Sequence, residues 1–477
     1  MTDLDRRLFL AGAAGSLVAA GAPAKSLRAP AASAPVPDNP VVRQRADAQI
    51  FRHADGWYYM TGSVPEYDRL VLRRARTLAG LAVAPERVLW RHQAKGPMSG
   101  FLWAPELHLI GRKWVMYFAA GPSGGGEDVF RIRTYALVCD GPDPIKGHWT
   151  VLGQFQSPWD SFNLDSTIFV HRGRRYFVWA QREPGIETNS NLYIAPLATP
   201  LTLAARPARL TVPTLDWEIR GFKVAEAPAI LARNGRLFMT YSASATDARY
   251  CLGLLTAPDD ADIMNPASWT KSPEPVFVTS RVTSVYGPGH NSFTVDELGR
   301  DVMVYHGRDY EKIAGDPLFD PNRHTRMQRI YYRADGTPDF GIPVGNGPVP
   351  DRLEPASGGR GFLMHAGDRV LIGQGPIPAS QFRAVPGLAG VGAMLVPVDA
   401  LDKCLVAGDD GEIRLARIEK DRAFGLRSSF LRQSVGKDRV RFAQVGRPGH
   451  YLLHRGDAVR VGAPGSAGMA GATFRVS

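Results

Sequence analysis

The chain has 477 residues, enough for two domains, and a net charge of +11. Its three cysteines, Cys139, Cys251 and Cys404, are too few and too odd in number for a disulfide framework, and they lack metal-ligand spacing. Beyond the first residues no stretch is apolar and long enough to cross a bilayer, which excludes a helical membrane protein.

Residues 1–34 read as an export signal. Arg6-Arg7-Leu8-Phe9-Leu10 is a twin-arginine pattern, followed by a mildly apolar run to Ala22 that is too short to span a membrane. Ala22-Pro23-Ala24 and Ala32-Ser33-Ala34 both offer a cleavage site. Proteins exported this way cross the membrane folded, in keeping with a fold that has no disulfide staple. The expected location is secreted or periplasmic.

From 35 to 345 one phrase recurs five times: a polar or aromatic head, an apolar strand, a turn and a second apolar strand. Asp47 precedes Ile50-Phe51, Asp55-Gly56 and Trp57-Tyr58-Tyr59-Met60. Trp103-Ala104-Pro105-Glu106 precedes Leu107, Gly111 and Trp114-Val115-Met116-Tyr117-Phe118. Asp165 precedes Ile168-Phe169-Val170, Gly173 and Tyr176-Phe177-Val178-Trp179. Glu226 precedes Ala229-Ile230, then Asn234-Gly235, a hairpin signal because both turn residues must accept positive φ, and Leu237-Phe238-Met239-Thr240-Tyr241. His290 precedes Phe293, Gly299 and Val302-Met303-Val304-Tyr305. The heads at 47, 103, 165, 226 and 290 are 56, 62, 61 and 64 residues apart. Five hairpins at so even a period predict a closed radial array, a five-bladed β-propeller.

Equivalent positions on the innermost strands of a propeller converge on its central channel. Here they bring together Asp47, Asp165, Glu226, His290 and Trp103. Acids around a funnel with an aromatic wall suit cleavage of a glycosidic bond, which needs an acid, a base and a platform for a sugar ring. Trp103 reads as that platform, because it precedes its strand rather than lying within it.

The last quarter differs in composition. All nine tryptophans precede residue 270, and the Pro- and Gly-rich run from Pro343 to Gly361 reads as a linker. From 351 onward there are 18 Lys and Arg against 12 Asp and Glu, a net of +6. No aromatic platform interleaves with these charges, so they read as a solvated basic surface and not as a nucleic-acid site. Phe362-Leu363-Met364-His365, Cys404-Leu405-Val406-Ala407 and Tyr451-Leu452-Leu453-His454 begin three copies of a short unit, offset by 42 and 47 residues. Three such copies predict a β-trefoil over 351–477, and the whole chain is expected to be all-β and monomeric.

The five heads, in Asp47-Ala48-Gln49-Ile50-Phe51, Trp103-Ala104-Pro105-Glu106-Leu107, Leu164-Asp165-Ser166-Thr167, Glu226-Ala227-Pro228 and Gly287-Pro288-Gly289-His290-Asn291, resemble glycoside hydrolase family 43, especially its α-L-arabinofuranosidases. The tail, through Gly449-His450-Tyr451-Leu452-Leu453-His454-Arg455, resembles the arabinose-binding trefoil of carbohydrate-binding module family 42. The first resemblance implies Asp47 as general base, Glu226 as general acid, and Asp165 as a neighbour that raises the pKa of Glu226 and orients it. It implies His290 beneath the sugar, beside a calcium ion or a water, and Arg326 on the sugar hydroxyls. No cofactor is required, and no metal ligand set is assigned. Ala48 and Ser166 replace prolines common in the family without removing a catalytic group. In the trefoil the resemblance expects an aspartate three residues before the last Phe of each repeat. Ala379 and Gly471 stand there in the first and third repeats. Asp421 stands there in the second, where Ala407 replaces the usual histidine. One or two sugar sites at most are expected to survive.

Together these readings imply an inverting, exo-acting α-L-arabinofuranosidase on arabinan or arabinoxylan. A β-xylosidase of the same family and a catalytically silent carbohydrate-binding protein are the alternatives.

Overall fold

Asn234 and Gly235 take φ of 53° and 70°. This doubly left-handed turn matches the twist of the strands it joins, Ala225–Arg233 and Arg236–Ala243, which pair from Arg233↔Arg236 inward. Such hairpins build the N-terminal part of the computed structural model, which describes residues 36–124, 128–359, 361–465 and 468–477. The twin-arginine segment lies outside the described residues.

Each hairpin extends outward into a blade. The innermost strands are Ala46–Arg52, Gly100–Ile110, Asn163–His171, Ala225–Arg233 and Tyr286–Val295. The first four blades carry a four-strand meander, and the third adds the short strand Thr202–Leu203. The fifth has three strands of its own, Tyr286–Val295, Asp301–Arg308 and His324–Arg329. The chain ahead of blade 1 completes it: Val41 N–H donates to Thr325 O at 2.8 Å, and Thr325 N–H to Val42 O at 2.9 Å. Asn39 adds a second clamp, accepting from Met327 N–H through Oδ1 and donating to Met327 O through Nδ2, both at 2.9 Å. The two ends of the ring are thereby joined, leaving no open edge between blades 1 and 5.

The second strand of each blade reads as a continuous apolar run because both its faces are covered. In blade 2, Trp114, Met116 and Phe118 pack against Tyr59, Leu70 and Leu72 of blade 1. Val115 and Tyr117 point the other way, onto Phe177, Trp179 and Tyr193 of blade 3. Comparable cores join blades 3 and 4, 4 and 5, and 5 and 1. Cys139 and Cys251 lie in the third strands of their blades, buried and unpaired, where they act as small hydrophobes.

The Pro/Gly run from 343 to 361 is not a loose linker. Gly347–Pro348 pairs with Asp38–Asn39, and Asp351–Pro355 is already a trefoil strand. The trefoil consists of six two-stranded hairpins, the last made by its first and final strands through Leu353↔Val476. Leu353, Phe382, Leu405, Phe430, Leu452 and Phe474 meet in one core.

This geometry corrects the reading of Asp421. Phe382, Phe430 and Phe474 hold equivalent places, facing Asp351, Ala393 and Val440 across the three related strand pairs. The second repeat is longer because it carries the helix Arg422–Ser428, and Asp421 caps that helix by accepting from Phe424 N–H at 2.8 Å. Three residues before the equivalent phenylalanines stand Ala379, Arg427 and Gly471. None of the three places holds an acid.

Candidate active site

At the mouth where the innermost strands begin, each blade has a β-bulge with one residue at positive φ. These are Asp47 (54°), Ala104 (46°), Asp165 (51°), Ala227 (53°) and His290 (41°). A non-glycine residue held there costs of order 1–3 kcal/mol, a strain that surrounding structure must offset. The cross-strand register agrees: Ala46, Trp103, Leu164, Glu226 and Gly289 pair with Ser63, Ala119, Ala180, Ser242 and His306. Asp47, Asp165 and His290 are therefore true equivalents, whereas Glu226 and Trp103 sit one residue earlier in their repeats. The bulge accounts for the slip, because in blades 2 and 4 an alanine takes the left-handed place.

In blades 1, 4 and 5 the end of the second strand braces the next bulge. Ser63 Oγ accepts from Ala104 N–H at 2.8 Å, Ser242 Oγ from His290 N–H at 2.8 Å, and His306 Nδ1 from Asp47 N–H at 3.2 Å. Ala227 N–H lies toward the Asp165 carboxylate and favours its ionised form. The bracing fixes the backbone that carries the acids.

Asp47 is buried among cations and donors. Ser63 Oγ donates to its Oδ2 at 2.6 Å. Its Oδ1 lies 3.1 Å from His306 Nδ1, 3.4 Å from His290 Nδ1 and 3.5 Å from Arg323 Nη1. Burial alone would raise this carboxyl, but Arg323, His290 and His306 outweigh it and hold Asp47 well below the usual carboxylate range. Arg323 is itself anchored by donating to Tyr67 Oη at 2.7 Å. His306 is pushed down to about 4 by burial, so near pH 7 it is neutral and Arg323 is the cation that keeps Asp47 ionised.

Glu226 behaves in the opposite way. It keeps access to the funnel, and Tyr250 Oη donates to its Oε1 at 2.7 Å. Loss of solvent at this depth is the largest cause that raises it, and the charge of Asp47 adds to it. The Tyr250 hydrogen bond and Arg323 oppose them, and the carboxyl comes to about 7. Asp165, buried and 3.8 Å from His290 Nδ1, is driven well above its usual range by burial and then by Glu226 and Asp47. Like charges repel, so Asp165 and Glu226 together retain a proton near neutrality while Asp47 stays ionised.

Tyr250 is fixed tightly. Its ring lies flat on His306, with centroids 5.7 Å apart and planes 2° from parallel. A Cβ on Gly289 would fall 2.3 Å from that ring, so only glycine lets the backbone pass.

Two expected contacts are placed differently. Trp103 lies inside its strand, Gly100–Ile110, and is buried against Phe101 and Tyr67 at ring distances of 5.3 and 5.5 Å. It forms part of the funnel wall behind Tyr67 rather than an open platform. Arg326 does not reach the acids. It is fully buried in the third strand of blade 5, bound to Asp309 and Asn346. The arginine beside Asp47 is Arg323, three residues earlier, at the mouth-side end of the same strand. Tyr250 occupies the matching place in blade 4, just before Cys251–Pro258. Among the described residues no three His, Cys, Asp or Glu side chains converge as metal ligands.

A closed ring of five blades with two acid environments of opposite sense at its mouth defines a propeller glycoside hydrolase. The chain belongs to glycosyl hydrolases family 43, whose model matches residues 37–338. It is 50% identical over 398 residues to an extracellular exo-alpha-(1->5)-L-arabinofuranosidase of Streptomyces avermitilis, covering 83% of this chain and 82% of that one. It is 47% identical over 434 residues to alpha-L-arabinofuranosidase 43 of Humicola insolens, covering 87% and 89%. The crystal structure of an alpha-L-arabinofuranosidase from Lactobacillus brevis, 50% identical, superposes with a TM-score of 0.64 over 65% of this chain and 98% of that one.

Proposed function

We propose that this chain is an exo-acting α-L-arabinofuranosidase that removes single terminal arabinofuranosyl residues, with inversion, from (1→5)-linked arabinan or from arabinoxylan. The observation that carries the reading is the electrostatic asymmetry between Asp47, held ionised, and Glu226, held protonated to about 7. Asp47 takes a proton from a water, whose oxygen attacks the anomeric carbon. The glycosidic C–O bond breaks on the opposite face, and Glu226 gives its proton to the leaving oxygen. Asp165 touches neither bond; it shares with Glu226 the proton that the pair retains near neutrality. Export from the cell fits the reading, since the Streptomyces relative bears the name extracellular.

The test is the product set. With a linear α-(1→5)-arabino-oligosaccharide, arabinose and the oligomer shorter by one unit should be the first products, and nitrophenyl β-xyloside should be a much poorer substrate than nitrophenyl α-L-arabinofuranoside. Preferred hydrolysis of the xyloside would make the chain a xylosidase, and no turnover of any of these would make it a binding protein.

A second expectation concerns the domains. The Lactobacillus structure corresponds to only 65% of this chain, yet the chain covers 98% of it. Ending the chain after Pro350 keeps the pairing of Gly347–Pro348 with Asp38–Asn39. The shortened protein should fold and hydrolyse nitrophenyl arabinofuranoside at a near-native rate. It should melt at a lower temperature, because Tyr331, whose Oη donates to Ser477 O at 3.0 Å, loses its cover. Insoluble or inactive protein would make the trefoil part of the propeller's stability.

A further inference from the structure

Where propeller and trefoil meet, two arginines are buried with too few partners. Arg326, from the third strand of blade 5, is fully buried; Arg383, from trefoil strand Gln381–Pro386, is 4% exposed. Both reach the same residue of the connecting segment. Arg326 Nη2 donates to Asn346 Oδ1 at 2.9 Å, and Arg383 Nη1 to Asn346 O at 2.5 Å. Arg326 also binds Asp309, a carboxylate shared with Arg43 at 3.7 Å. Arg383 has no ion pair among the described residues. Three donors there are left without a partner: Arg326 Nη1, Arg383 Nε and Arg383 Nη2.

This balance is unusual. A buried guanidinium is tolerated when a carboxylate and hydrogen bonds replace its water, and an uncompensated one is strongly destabilising. Here two positive charges face one shared negative charge. Burial, with Arg326 adding to it, pushes Arg383 down to about 10, so it stays charged at neutral pH. Tyr305, whose Oη accepts from Val344 N–H at 2.8 Å, has its acceptor capacity turned toward the backbone and supplies no anion.

We propose that a small monovalent anion of chloride size binds between Arg326 and Arg383 and fastens the trefoil to the propeller. Such an ion would accept from the three free donors, neutralise the excess charge, and link a blade-5 strand, Asn346 and a trefoil strand in one cluster. The ligand class follows from the donor set: unpartnered guanidinium N–H groups on two deeply buried side chains, which call for a compact anion. The cluster lies on the outer strands of blade 5, away from Asp47 and Glu226, so the ion acts on stability and not on the reaction.

The test uses the full chain. Its melting temperature should rise with sodium chloride by about 1–3 °C per tenfold until it saturates, and should not rise in sodium gluconate of equal ionic strength. Arg383→Met, which keeps the apolar stem and removes the charge, should melt at the same temperature in both salts. Crystals grown in bromide should show an anomalous peak within hydrogen-bonding distance of both guanidinium groups. If Arg383→Met does not fold, the salt comparison and the bromide peak on the unmodified chain still decide. Equal melting in chloride and gluconate, or water in place of bromide at the cluster, would overturn the proposal.

Discussion

Asp47→Asn is expected to lower kcat on an arabino-oligosaccharide by about 10²-fold or more, and Glu226→Gln by a similar factor, the scale of losing a general base or acid. The two should separate when the leaving group changes. Nitrophenol leaves with little help from a proton, so Glu226→Gln should recover much of its rate on nitrophenyl arabinofuranoside while Asp47→Asn should not. The asymmetry follows from the site: Asp47 is held ionised chiefly by Arg323, and Glu226 is held protonated by its loss of solvent and the charge of Asp47. Near-native turnover of either variant on the natural linkage would refute its role. Rescue of Asp47→Asn in place of Glu226→Gln would exchange the two.

The second large effect is on pH dependence. Asp47 works as the carboxylate, so its pKa sets the acidic limb of kcat/KM; Glu226 works protonated, so its pKa sets the alkaline limb near 7. Arg323 lowers Asp47. Arg323→Met should therefore raise that pKa and move the acidic limb upward by about 1–3 units; because Arg323 also lowers Glu226, the alkaline limb should move upward with it. Tyr250 lowers Glu226 through its hydrogen bond. Tyr250→Phe should move the alkaline limb upward by about 0.5–1 unit and leave the acidic limb in place. A merely structural role for either residue would lower the rate without moving a limb. Unchanged limbs in folded variants would remove both from the electrostatic account.

The propeller was legible in the sequence because each blade repeats a pattern that physics makes conspicuous: a head, an apolar strand, a turn residue that accepts positive φ, and a second strand buried on both faces. The exact register of the heads was less legible. Ala104 and Ala227 precede prolines, which ordinarily favours extended backbone, and an alanine gives no hint of a left-handed bulge. Glu226 was thus matched to Asp47 and Asp165 although it stands one residue earlier.

Arg326 and Arg323 illustrate a different limit. Three positions apart at one strand, they face different surroundings, and only the mouth-side end of the strand reaches the acids. The same end-of-strand rule selects Tyr250, and His306 ends the second strand of blade 5 near the mouth as Ser63 and Ser242 do in theirs. Each was visible as a residue type but lacked a repeat to mark it. Closure of blade 5 by Val41 and Val42 joins segments more than 280 residues apart, as Asn39 and Met327 show, and no local pattern announces such a contact. In the trefoil, the helix Arg422–Ser428 lengthened one repeat and carried Asp421 out of the place that its spacing to Phe424 suggested.

The central claim is single-displacement cleavage by Asp47 and Glu226, and the anomer of the first product tests it most directly. Proton NMR of an α-(1→5)-arabino-oligosaccharide digest, recorded within the first minutes, should show β-L-arabinofuranose appearing before mutarotation mixes the forms. Initial release of the α anomer would mean a covalent intermediate, and would contradict the assignment of Asp47 as a base acting through water.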